Sequence, residues 1–524
     1  MRPASGCRLG GIFDSFPLRC AFLSGIPLSR LRATPMPLSF QNSAVSPDTK
    51  TPTLFLPGWG FDGRILQLLA PTPKWLYPLT PLDPATIDQD LLHLLDSRQM
   101  EKVRLIGWSM GAMLGLDFAA RHSNRIASLV LVALRPHWPH REIKDIRHEF
   151  NRKPEIFLRG FYRKCFLGDK QAYRNFASTL EPLYLAALGP NREMLLRGLE
   201  YLENFEIPRS LPEVPVRLVH GRQDLVAPIG EILFLPEAET EIIDKAGHAV
   251  FLHERCSLRH ELKKEAIRAK FSQAAQSYDS YAKVQIEAAR RLAALLPPAD
   301  SKTMRILEIG CGTGNFSAML AERYPGAEIT ALDFSPAMIE KAREKIAAPS
   351  ISFTCADAEL FLATVPSDSF DLVASNGSLQ WFSDIDKAFA DIVRILVPGG
   401  SLFCSIFGPE SLRELNEGLQ TLSLRKEVLA ARSFHDGGKL AAILQHSFPG
   451  GSITEERIEK QYRSAHDLLM HIKKTGTSGW SQGTGKHLTP DRIRRLDAWF
   501  QAAYGACRVT YQLFFLQGTK SIAP

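Results

Sequence analysis

The sequence predicts two tandem α/β domains in a chain of 524 residues. Short apolar runs recur in both halves, and each is followed by a glycine-rich or acidic loop and a helical pattern, which is typical of buried parallel strands. With 45% hydrophobic and 23% charged residues, the composition suits folded domains with sizeable cores. No apolar run reaches the roughly 18 to 20 residues that a membrane-spanning helix needs, which excludes an integral membrane protein.

Ten apolar runs, five in each half, are the predicted strands. They are residues 53–60, 103–111, 127–133, 216–224 and 239–248, then 304–314, 328–335, 351–359, 370–378 and 400–408. Residues 253–296 between the two sets are charged, proline-free and helix-forming, so we expect a short and stiff helical connection. We therefore expect a first domain over residues 48–264 and a second over residues 265–524.

The N-terminal 47 residues differ in composition from the rest, with five arginines and one acidic residue, Asp14. We expect a disordered extension, or an upstream start with Met36 as the true beginning; an arginine-rich transit peptide is the alternative. None of the eight cysteines forms a C-x-x-C pair, which argues against a zinc ribbon or a disulfide scaffold. The sequence thus favours a cytoplasmic location, and we expect no metal site.

Residues 107–111 read Gly-Trp-Ser-Met-Gly and match the G-x-S-x-G pattern between a strand and a helix. The turn is so tight that its flanking side chains must be small, and it is expected to lift the hydroxyl of Ser109 into solvent at the carboxyl edge of the sheet. The backbone N–H of Met110 would then point to the oxyanion. This context predicts a serine hydrolase with an α/β-hydrolase fold.

A serine nucleophile needs a base, and the base needs an orienting acid. In this fold the chain order is serine, acid, histidine, and Asp224 and His248 end predicted strands in that order. For His248 the alternative is an ordinary loop histidine. Trp59, after the first strand, is expected to supply the second oxyanion N–H and to wall the acyl pocket with its indole; the alternative is a core tryptophan.

Residues 135–205 are predicted to form a helical cap over this site. Between residues 135 and 175 eleven lysines and arginines face only five acidic residues. A charged run is usually a solvated face, but beside a catalytic pocket it also favours attraction of an acidic partner. The residues expected to make those contacts are Arg159, Arg163, Lys164 and Arg174.

A second constellation follows the strand at 304–309. Glu308, Gly310, Gly312 and Gly314 alternate there, and this spacing lacks the G-x-G-x-x-G pattern, so a nicotinamide dinucleotide is disfavoured. Three glycines in one strand–helix turn let the backbone approach a ligand closely. The segment therefore predicts a ligand-binding turn at the carboxyl end of a parallel strand.

The next two strands end in acids. Asp333 is placed to accept both hydroxyls of a ribose, and Asp357 followed by Ala358 is placed to read an adenine amino group. This order of acid, glycines, acid and acid resembles class I S-adenosylmethionine-dependent methyltransferases, which have a Rossmann-like fold. The resemblance implies S-adenosyl-L-methionine as the co-substrate, bound by these residues.

Asn376, Gln380 and Trp381 follow the fourth strand and are expected to face the methyl group and its acceptor. The region holds no histidine or cysteine that resembles an activated base. A carboxylate acceptor, with a pKa of about 4, would need no base because it is already ionised. Methyl transfer to it requires only alignment and a dry site.

Residues of roughly 265–520 resemble malonyl-[acyl-carrier protein] O-methyltransferases of biotin synthesis. The segments 271–285, 375–416 and 467–479 carry this likeness. Residues 53–262 resemble, more loosely, pimeloyl-[acyl-carrier protein] methyl ester esterases, with Pro57 where that family commonly has histidine. This departure leaves the triad intact and concerns the acyl preference.

Together these resemblances imply a bifunctional enzyme that methylates a malonyl carboxylate and later hydrolyses the pimeloyl methyl ester, both carried by an acidic acyl-carrier protein. One alternative is a methyltransferase for another small acid fused to an unrelated esterase; another makes the hydrolase half a docking module for the carrier. Nucleic-acid binding is disfavoured because the basic cap lacks aromatics interleaved on a sheet. Arg413, Lys473 and Lys474 are candidates to hold the malonyl carboxylate.

Overall fold

The structure is a computed structural model that describes residue 40 and residues 51–299, 304–424, 429–477 and 488–522. Of the N-terminal 47 residues only Phe40 is described, so the expectations for that extension lie outside the described residues. The described residues cluster as one compact unit. None of the described helices combines the length and the apolar composition needed to cross a bilayer.

The first sheet has five parallel strands whose spatial order follows the chain. They are β1 (Thr53–Leu56), β2 (Val103–Trp108), β3 (Ile126–Val132), β4 (Val216–Gly221) and β5 (Glu239–Ile243). Each overlaps a predicted run and stops before its loop, and β3 begins one residue before the run at 127–133. All carboxyl ends therefore meet at one edge of the sheet, where loop residues of different strands can form a site.

Helices connect these strands, and five of them lie between β3 and β4 in the stretch expected to form the cap. In chain order the helices of this half are α1 (Ile87–Ser97), α2 (Met110–Arg121), α3 (His140–Arg152), α4 (Pro154–Cys165), α5 (Lys170–Thr179), α6 (Glu181–Ala186) and α7 (Leu188–Asn204). Short 3₁₀ turns cover Gly63–Leu68, Ser123–Arg125, Ile229–Glu231 and Val250–Leu252.

The second sheet has seven strands in the order β11-β12-β10-β9-β6-β7-β8. They are β6 (Arg305–Ile309), β7 (Glu328–Asp333), β8 (Ile351–Cys355), β9 (Phe370–Asn376), β10 (Leu396–Phe407), β11 (Ser452–Gln461) and β12 (Arg508–Thr519). Five are parallel and were predicted; β12 runs antiparallel to β10 and β11. The strand order reverses at β6, which has β7 on one side and β9 on the other, so the crevice there is a natural ligand site.

Helices cover both faces of this sheet. They are α8 (Ser257–Ala274), α9 (Tyr278–Tyr281), α10 (Lys283–Leu295), α11 (Asn315–Arg323), α12 (Pro336–Lys345), α13 (Ala358–Thr364), α14 (Ile385–Ile395), α15 (Arg413–Thr421), α16 (Gly437–Ser447), α17 (Ala465–Lys474) and α18 (Pro490–Tyr504), with 3₁₀ turns at Leu379–Trp381 and Ala430–Ser433. The neighbours Ile306 and Leu307 belong to different apolar clusters, because successive side chains of a strand point to opposite faces.

The connection between the two sheets is helical, as expected. Helix α8 begins beside the first sheet and runs without interruption past Lys264, where the domain boundary was expected. Its far end contacts the second domain, where Ser272 Oγ lies 2.8 Å from Ser335 Oγ at the start of α12. One helix therefore belongs to both halves.

Candidate active sites

The turn after β2 has the geometry of a nucleophile elbow. Ser109 has φ 57° and ψ −120°, a conformation that side-chain-bearing residues rarely adopt, and it precedes α2 directly. A Cβ at Gly107 would lie 2.3 Å from the carbonyl oxygen of Gly111, and one at Gly111 would lie 2.2 Å from that of Leu56. Steric exclusion by the backbone therefore explains both glycines.

Ser109 is less accessible than the sequence suggested. Only 7% of the residue is exposed, so little of its surface reaches solvent. The cause is the cap, because a Cβ at Gly60 in the neighbouring loop would already contact Leu158 and Phe161 of α4. A substrate must therefore reach this serine beneath the cap helices.

Asp224 and His248 lie together although 24 residues separate them. His248 Nδ1 is 2.7 Å from Asp224 Oδ2, while Asp224 Oδ1 accepts the backbone N–H groups of Val226 and Ala227. Burial would raise the pKa of Asp224, but the charge and hydrogen bond of His248 and the Ala227 N–H hold it below its ordinary value. An ionised Asp224 keeps a proton on Nδ1 of His248 and leaves Nε2 as the basic nitrogen.

The Nε2 atom of His248 is buried, and no described residue hydrogen-bonds to it. It is thus free to act as a base. A second buried histidine, His220 of β4, points Nε2 at the carbonyl oxygen of Ala227, and burial lowers its pKa. His253 follows the 3₁₀ turn Val250–Leu252 and precedes α8.

Trp59 lies where the first sheet meets the cap. Its indole Nε1 donates a 2.8 Å hydrogen bond to the carbonyl oxygen of Leu195, and its ring packs edge-on against Phe150, Phe157 and Phe161. No described residue accepts a hydrogen bond from its backbone N–H. The indole therefore forms part of the aromatic interface with the cap, and its backbone donor is free.

Met110 is also covered by the cap. It is 2% exposed, and a Cβ at Gly198 of α7 would lie 2.7 Å from Trp59 Cδ1 and 3.2 Å from Met110 Sδ. Helix α7 therefore packs on both residues expected to donate to the oxyanion. Any shift of this helix would change the space beside Ser109.

The four cations expected to bind an acidic partner differ in their surroundings. Arg159 is ion-paired with the buried Glu181. Arg163, Lys164 and Arg174 are exposed, and none forms an ion pair with a described acidic residue. Only these three leave their charge available to a partner.

The local excess of positive charge is smaller than residues 135–175 suggest. Arg135 pairs with Glu231 as well as with Glu142, and Arg147 pairs with Glu203. Glu203 and Glu231 lie beyond that stretch, so a count along the chain omits them. Tertiary contacts thus neutralise part of the predicted basic cap.

The second site is a cleft of about 710 Å³ at the carboxyl ends of β6, β7, β8 and β9. Gly310, Gly312 and Gly314 have φ of 76°, 54° and 84°. A Cβ at Gly310 would lie 2.2 Å from Ser378 Oγ, so a side chain is excluded there. Gly310 and Gly312 line the cleft, whereas Gly314 precedes α11 and is not among its lining residues.

Asp333 lines this cleft with a buried carboxylate. Its Oδ2 accepts the N–H of Gly312 at 2.9 Å and its Oδ1 that of Ser335 at 2.8 Å. Burial raises its pKa to about 6, against the lowering effect of the two hydrogen bonds. The group is therefore mostly ionised at neutral pH and able to accept hydrogen bonds from hydroxyl groups.

Glu308 does not line the cleft. It is 1% exposed and accepts a 2.5 Å hydrogen bond from Ser317 Oγ of α11. Burial raises its pKa to about 8. The structure thus places Glu308 behind the glycine turn, where it links β6 to α11.

Asp357 and Ala358 line the cleft, as does a lysine that sequence reasoning missed. Lys264 Nζ of α8 lies 2.7 Å from Asp357 Oδ2 and also pairs with Glu359. Asp357 Oδ1 accepts the N–H of Glu359 at 2.9 Å. The carboxylate expected to read adenine is therefore oriented by Lys264.

A second cavity of about 670 Å³ shares Phe271, Tyr278, Gly377 and Trp381 with this cleft. Gln380 lines it, and its Nε2 donates to the carbonyl oxygen of Gly377. This cavity is an aromatic chamber that adjoins the cleft of the methyl donor, as an acceptor pocket would.

Asn376 lines the donor cleft rather than this chamber. Its side-chain Nδ2 donates a hydrogen bond to the carbonyl oxygen of Gln285, and its Oδ1 accepts one from Ser405 Oγ. None of the described residues lining the chamber is a lysine, arginine or histidine. Arg413 instead lines a small cleft with Glu414 and Tyr504, and neither Lys473 nor Lys474 lines the chamber. None of the three candidate cations thus reaches the aromatic chamber.

Sequence reasoning missed Lys264, Phe271, Tyr278 and Glu359 as lining residues. Phe271 and Tyr278 fall in the segment 271–285 that carries the family resemblance, which was a usable signal. Lys264 offered no signal, because its partners lie about 90 residues away in the chain.

The fold and the sites define a two-domain protein in which an α/β-hydrolase precedes a class I methyltransferase. The Alpha/beta hydrolase family matches residues 30–256, and the Methyltransferase domain family matches residues 306–400. A Malonyl-[acyl-carrier protein] O-methyltransferase of Acetivibrio thermocellus is 31% identical over 273 residues, which cover 50% of this chain and 95% of the relative. The chain belongs to the malonyl-[acyl-carrier protein] O-methyltransferase family.

Two relatives extend over both halves. The Biotin biosynthesis bifunctional protein BioHC of Cellvibrio japonicus is 27% identical over 511 residues, covering 89% of this chain and 99% of the relative. The protein of the same name from Teredinibacter turnerae is 28% identical over 428 residues, covering 69% of this chain and 74% of the relative. The resemblance of the chain to a fusion of the two enzyme families is thereby confirmed.

Proposed function

We propose that this chain is a bifunctional enzyme of biotin synthesis. Its second half methylates the free carboxylate of malonyl-[acyl-carrier protein], and its first half hydrolyses the methyl ester of pimeloyl-[acyl-carrier protein]. The observation that carries the proposal is the presence of both sites in one chain whose likeness to a bifunctional biotin protein covers 89% of its length.

In the esterase half, Ser109 Oγ attacks the ester carbonyl while His248 Nε2 takes its proton. Asp224, hydrogen-bonded at 2.7 Å, stabilises the imidazolium that forms. The backbone N–H groups of Met110 and Trp59 hold the oxyanion. The C–O bond to methoxide breaks, His248 returns the proton to release methanol, and water then hydrolyses the acyl-serine by the same route.

In the methyltransferase half, S-adenosyl-L-methionine supplies an electrophilic methyl group on a sulfonium. The glycine turn at 310–314 leaves room for the backbone to approach this ligand, and Asp333 accepts the ribose hydroxyls. Asp357 and Ala358 read the adenine, while Gln380 and Trp381 line the acceptor side. The acceptor carboxylate is already an anion, so alignment in a dry aromatic chamber suffices and no base is required.

The two reactions have a common physical purpose. A free carboxylate at the far end of a growing acyl chain would have to enter apolar channels, at a large desolvation cost. The methyl ester removes that charge, and hydrolysis restores it when the chain is complete. A carrier protein is acidic, which suits the unpaired charges of Arg163, Lys164 and Arg174.

In an enzyme with both activities, the esterase half must not hydrolyse the malonyl methyl ester that the methyltransferase half produces. We propose that the cap gives the esterase a chain-length preference, because aromatic residues of α3 and α4 pack around Trp59 beside the nucleophile. Comparable turnover of the malonyl and pimeloyl methyl esters on the carrier would refute this preference.

Mass spectrometry of the carrier protein tests the proposal. Purified enzyme is incubated with S-adenosylmethionine and malonyl-carrier protein beside the Ser109→Ala variant. One added methyl group that persists with the wild type is the expected result. A methyl gain seen only with the variant means that the esterase removes its partner's product, and no gain with either removes the malonyl assignment.

Growth of a biotin-requiring strain then separates the esterase from the docking alternative. The Ser109→Ala variant is expected not to support growth, because the ester would persist. Growth comparable to that with the wild type would assign the hydrolase half to docking instead.

A further inference from the structure

We propose that the hydrolase half is a structural part of the methyl-donor site. It anchors helix α8, and α8 carries Lys264 and Phe271 into the donor cleft, so donor affinity depends on ion pairs made inside the hydrolase domain. The inference rests on the proposed function in one respect, that the cleft around Asp333 binds S-adenosylmethionine.

The first end of α8 is fastened to the hydrolase sheet. Glu241 of β5 accepts hydrogen bonds from the backbone N–H and the hydroxyl of Ser257, the first residue of the helix. Glu261, one turn on, pairs with Arg104 of β2 at 2.6 Å and with Arg217 of β4 at 2.8 Å. Three strands of the hydrolase thus hold the first turns of the helix.

The Glu261 anchor stays charged over the working pH range. Burial would raise the pKa of this carboxyl, but the two guanidinium groups hold it below its ordinary value. The three side chains are between 17% and 32% exposed, so solvent screens their attraction only partly. The ion pairs of Glu261 are therefore partly buried and are stronger than fully exposed surface pairs.

The middle of the same helix reaches the donor cleft. Lys264 lies three residues after Glu261, about 4.5 Å along the helix axis. Burial would lower the pKa of Lys264, but hydrogen bonds to Asp357 and Glu359 raise it, so the ammonium is retained. Phe271, two turns further, lines the cleft and packs edge-on against Trp381 with ring centroids 6.0 Å apart.

These contacts define Lys264 as a positioning residue. Its Nζ donates a hydrogen bond to Oδ2 of Asp357, and the backbone N–H of Glu359 donates one to Oδ1. The two bonds together fix the orientation of this carboxylate in the cleft. A helix turn is stiff, so loosening Glu261 from the hydrolase strands displaces Lys264 as well. Donor binding should therefore respond to both residues, although Glu261 itself does not line the cleft.

The test measures binding of S-adenosyl-L-homocysteine to the full chain by calorimetry, which requires no acceptor. Lys264→Ala and Glu261→Gln are each expected to weaken binding by about fivefold or more. Lys264→Arg should restore most of the affinity, because it keeps the charge beside Asp357. The double variant should lose less than the product of the single losses, since both changes act through one helix.

Asp244→Asn is the matched control. It also removes an acidic charge from the hydrolase domain, but Asp244 pairs with the exposed Arg222 and not with α8. Binding to this variant should equal that of the wild type. Circular dichroism checks the folding of each protein, and Arg217→Gln replaces Glu261→Gln if the latter unfolds.

Two failures remain distinguishable. Absence of binding to the wild type would refute the donor site itself, and with it the proposed methyltransferase. Wild-type binding that Glu261→Gln and Arg217→Gln leave within twofold, while both are folded, would overturn the role of the hydrolase domain alone.

Discussion

The two sites differ in how far they are formed before a ligand arrives. In the hydrolase, Asp224 and His248 are 4% and 1% exposed and already joined by a 2.7 Å hydrogen bond. In the methyltransferase, the corresponding region is a cleft of about 710 Å³ bordered by glycines and carboxylates. The first site already has its acid and base in contact, whereas the second has space shaped for a ligand.

The difference follows from the chemistry that we propose for each site. Proton transfer through His248 requires a fixed tautomer and a short contact, so the acid and the base must be held before the substrate binds. Methyl transfer to an ionised carboxylate moves no proton on the enzyme. Its site needs only to bind and align two reactants, which depends on cavity shape and hydrogen-bond acceptors.

The largest expected effect separates the two sites completely. Ser109→Ala should lower hydrolysis of a p-nitrophenyl ester by about 10⁴-fold or more, because it removes the hydroxyl that we propose attacks the ester. Binding of S-adenosyl-L-homocysteine by calorimetry should be unchanged. Hydrolysis retained at the wild-type rate would place the nucleophile elsewhere.

The reverse separation is expected from the donor cleft. Asp333→Ala removes the buried carboxylate that we propose accepts two ribose hydroxyls, and it should weaken S-adenosyl-L-homocysteine binding by about tenfold to a hundredfold. Ester hydrolysis, measured on the same preparation, should stay at the wild-type rate. Equal affinity of variant and wild type would remove Asp333 from the ligand site.

The pH dependence of donor binding gives a third contrast. The pKa of Asp333 is raised to about 6, so the carboxylate is protonated as pH falls through that value and loses its acceptor capacity. Affinity should therefore fall by up to about tenfold per pH unit below 6. Titrations at pH 5, 6 and 7 check this slope, and Asp333→Asn should flatten it.

The smallest effect concerns the cap. Replacing Arg163, Lys164 and Arg174 together by alanine should raise the KM for an acyl-carrier-protein ester about threefold, because these cations attract an acidic partner. The kcat should not change. At 0.5 M salt the KM of the variant and of the wild type should become equal, because the ions screen the attraction between exposed charges. Arg222→Ala, which removes an arginine already paired with Asp244, is the control. An equal KM for the triple variant would assign these residues to a solvated face.

Much of the fold was predictable from local patterns. All ten predicted strands are present, because buried parallel strands are continuous apolar runs ended by glycine or acid. The sequence missed β11 and β12. Strand β11 (Ser452–Gln461) is half charged and lies at the sheet edge, so it lacks an apolar signal. The apolar and β-branched residues of β12, by contrast, were a signal that was overlooked.

The sequence by itself determined the features that depend on a few neighbouring residues. The glycines around Ser109 and in the turn at 310–314 could be placed because steric exclusion within one tight turn is a local property. The order of Ser109, Asp224 and His248 was likewise readable, since each follows the carboxyl end of a strand of one parallel sheet. These statements need no knowledge of how distant segments pack.

Only the tertiary structure decided the features that depend on packing between distant segments. The cap covers Ser109, Glu181 neutralises Arg159, and Lys264 of α8 reaches Asp357 across 93 residues of chain. Burial and ion pairing arise from elements that approach one another in three dimensions. No local pattern records them, because the same charged residue is equally compatible with a solvated face or a buried pair until its neighbours are known.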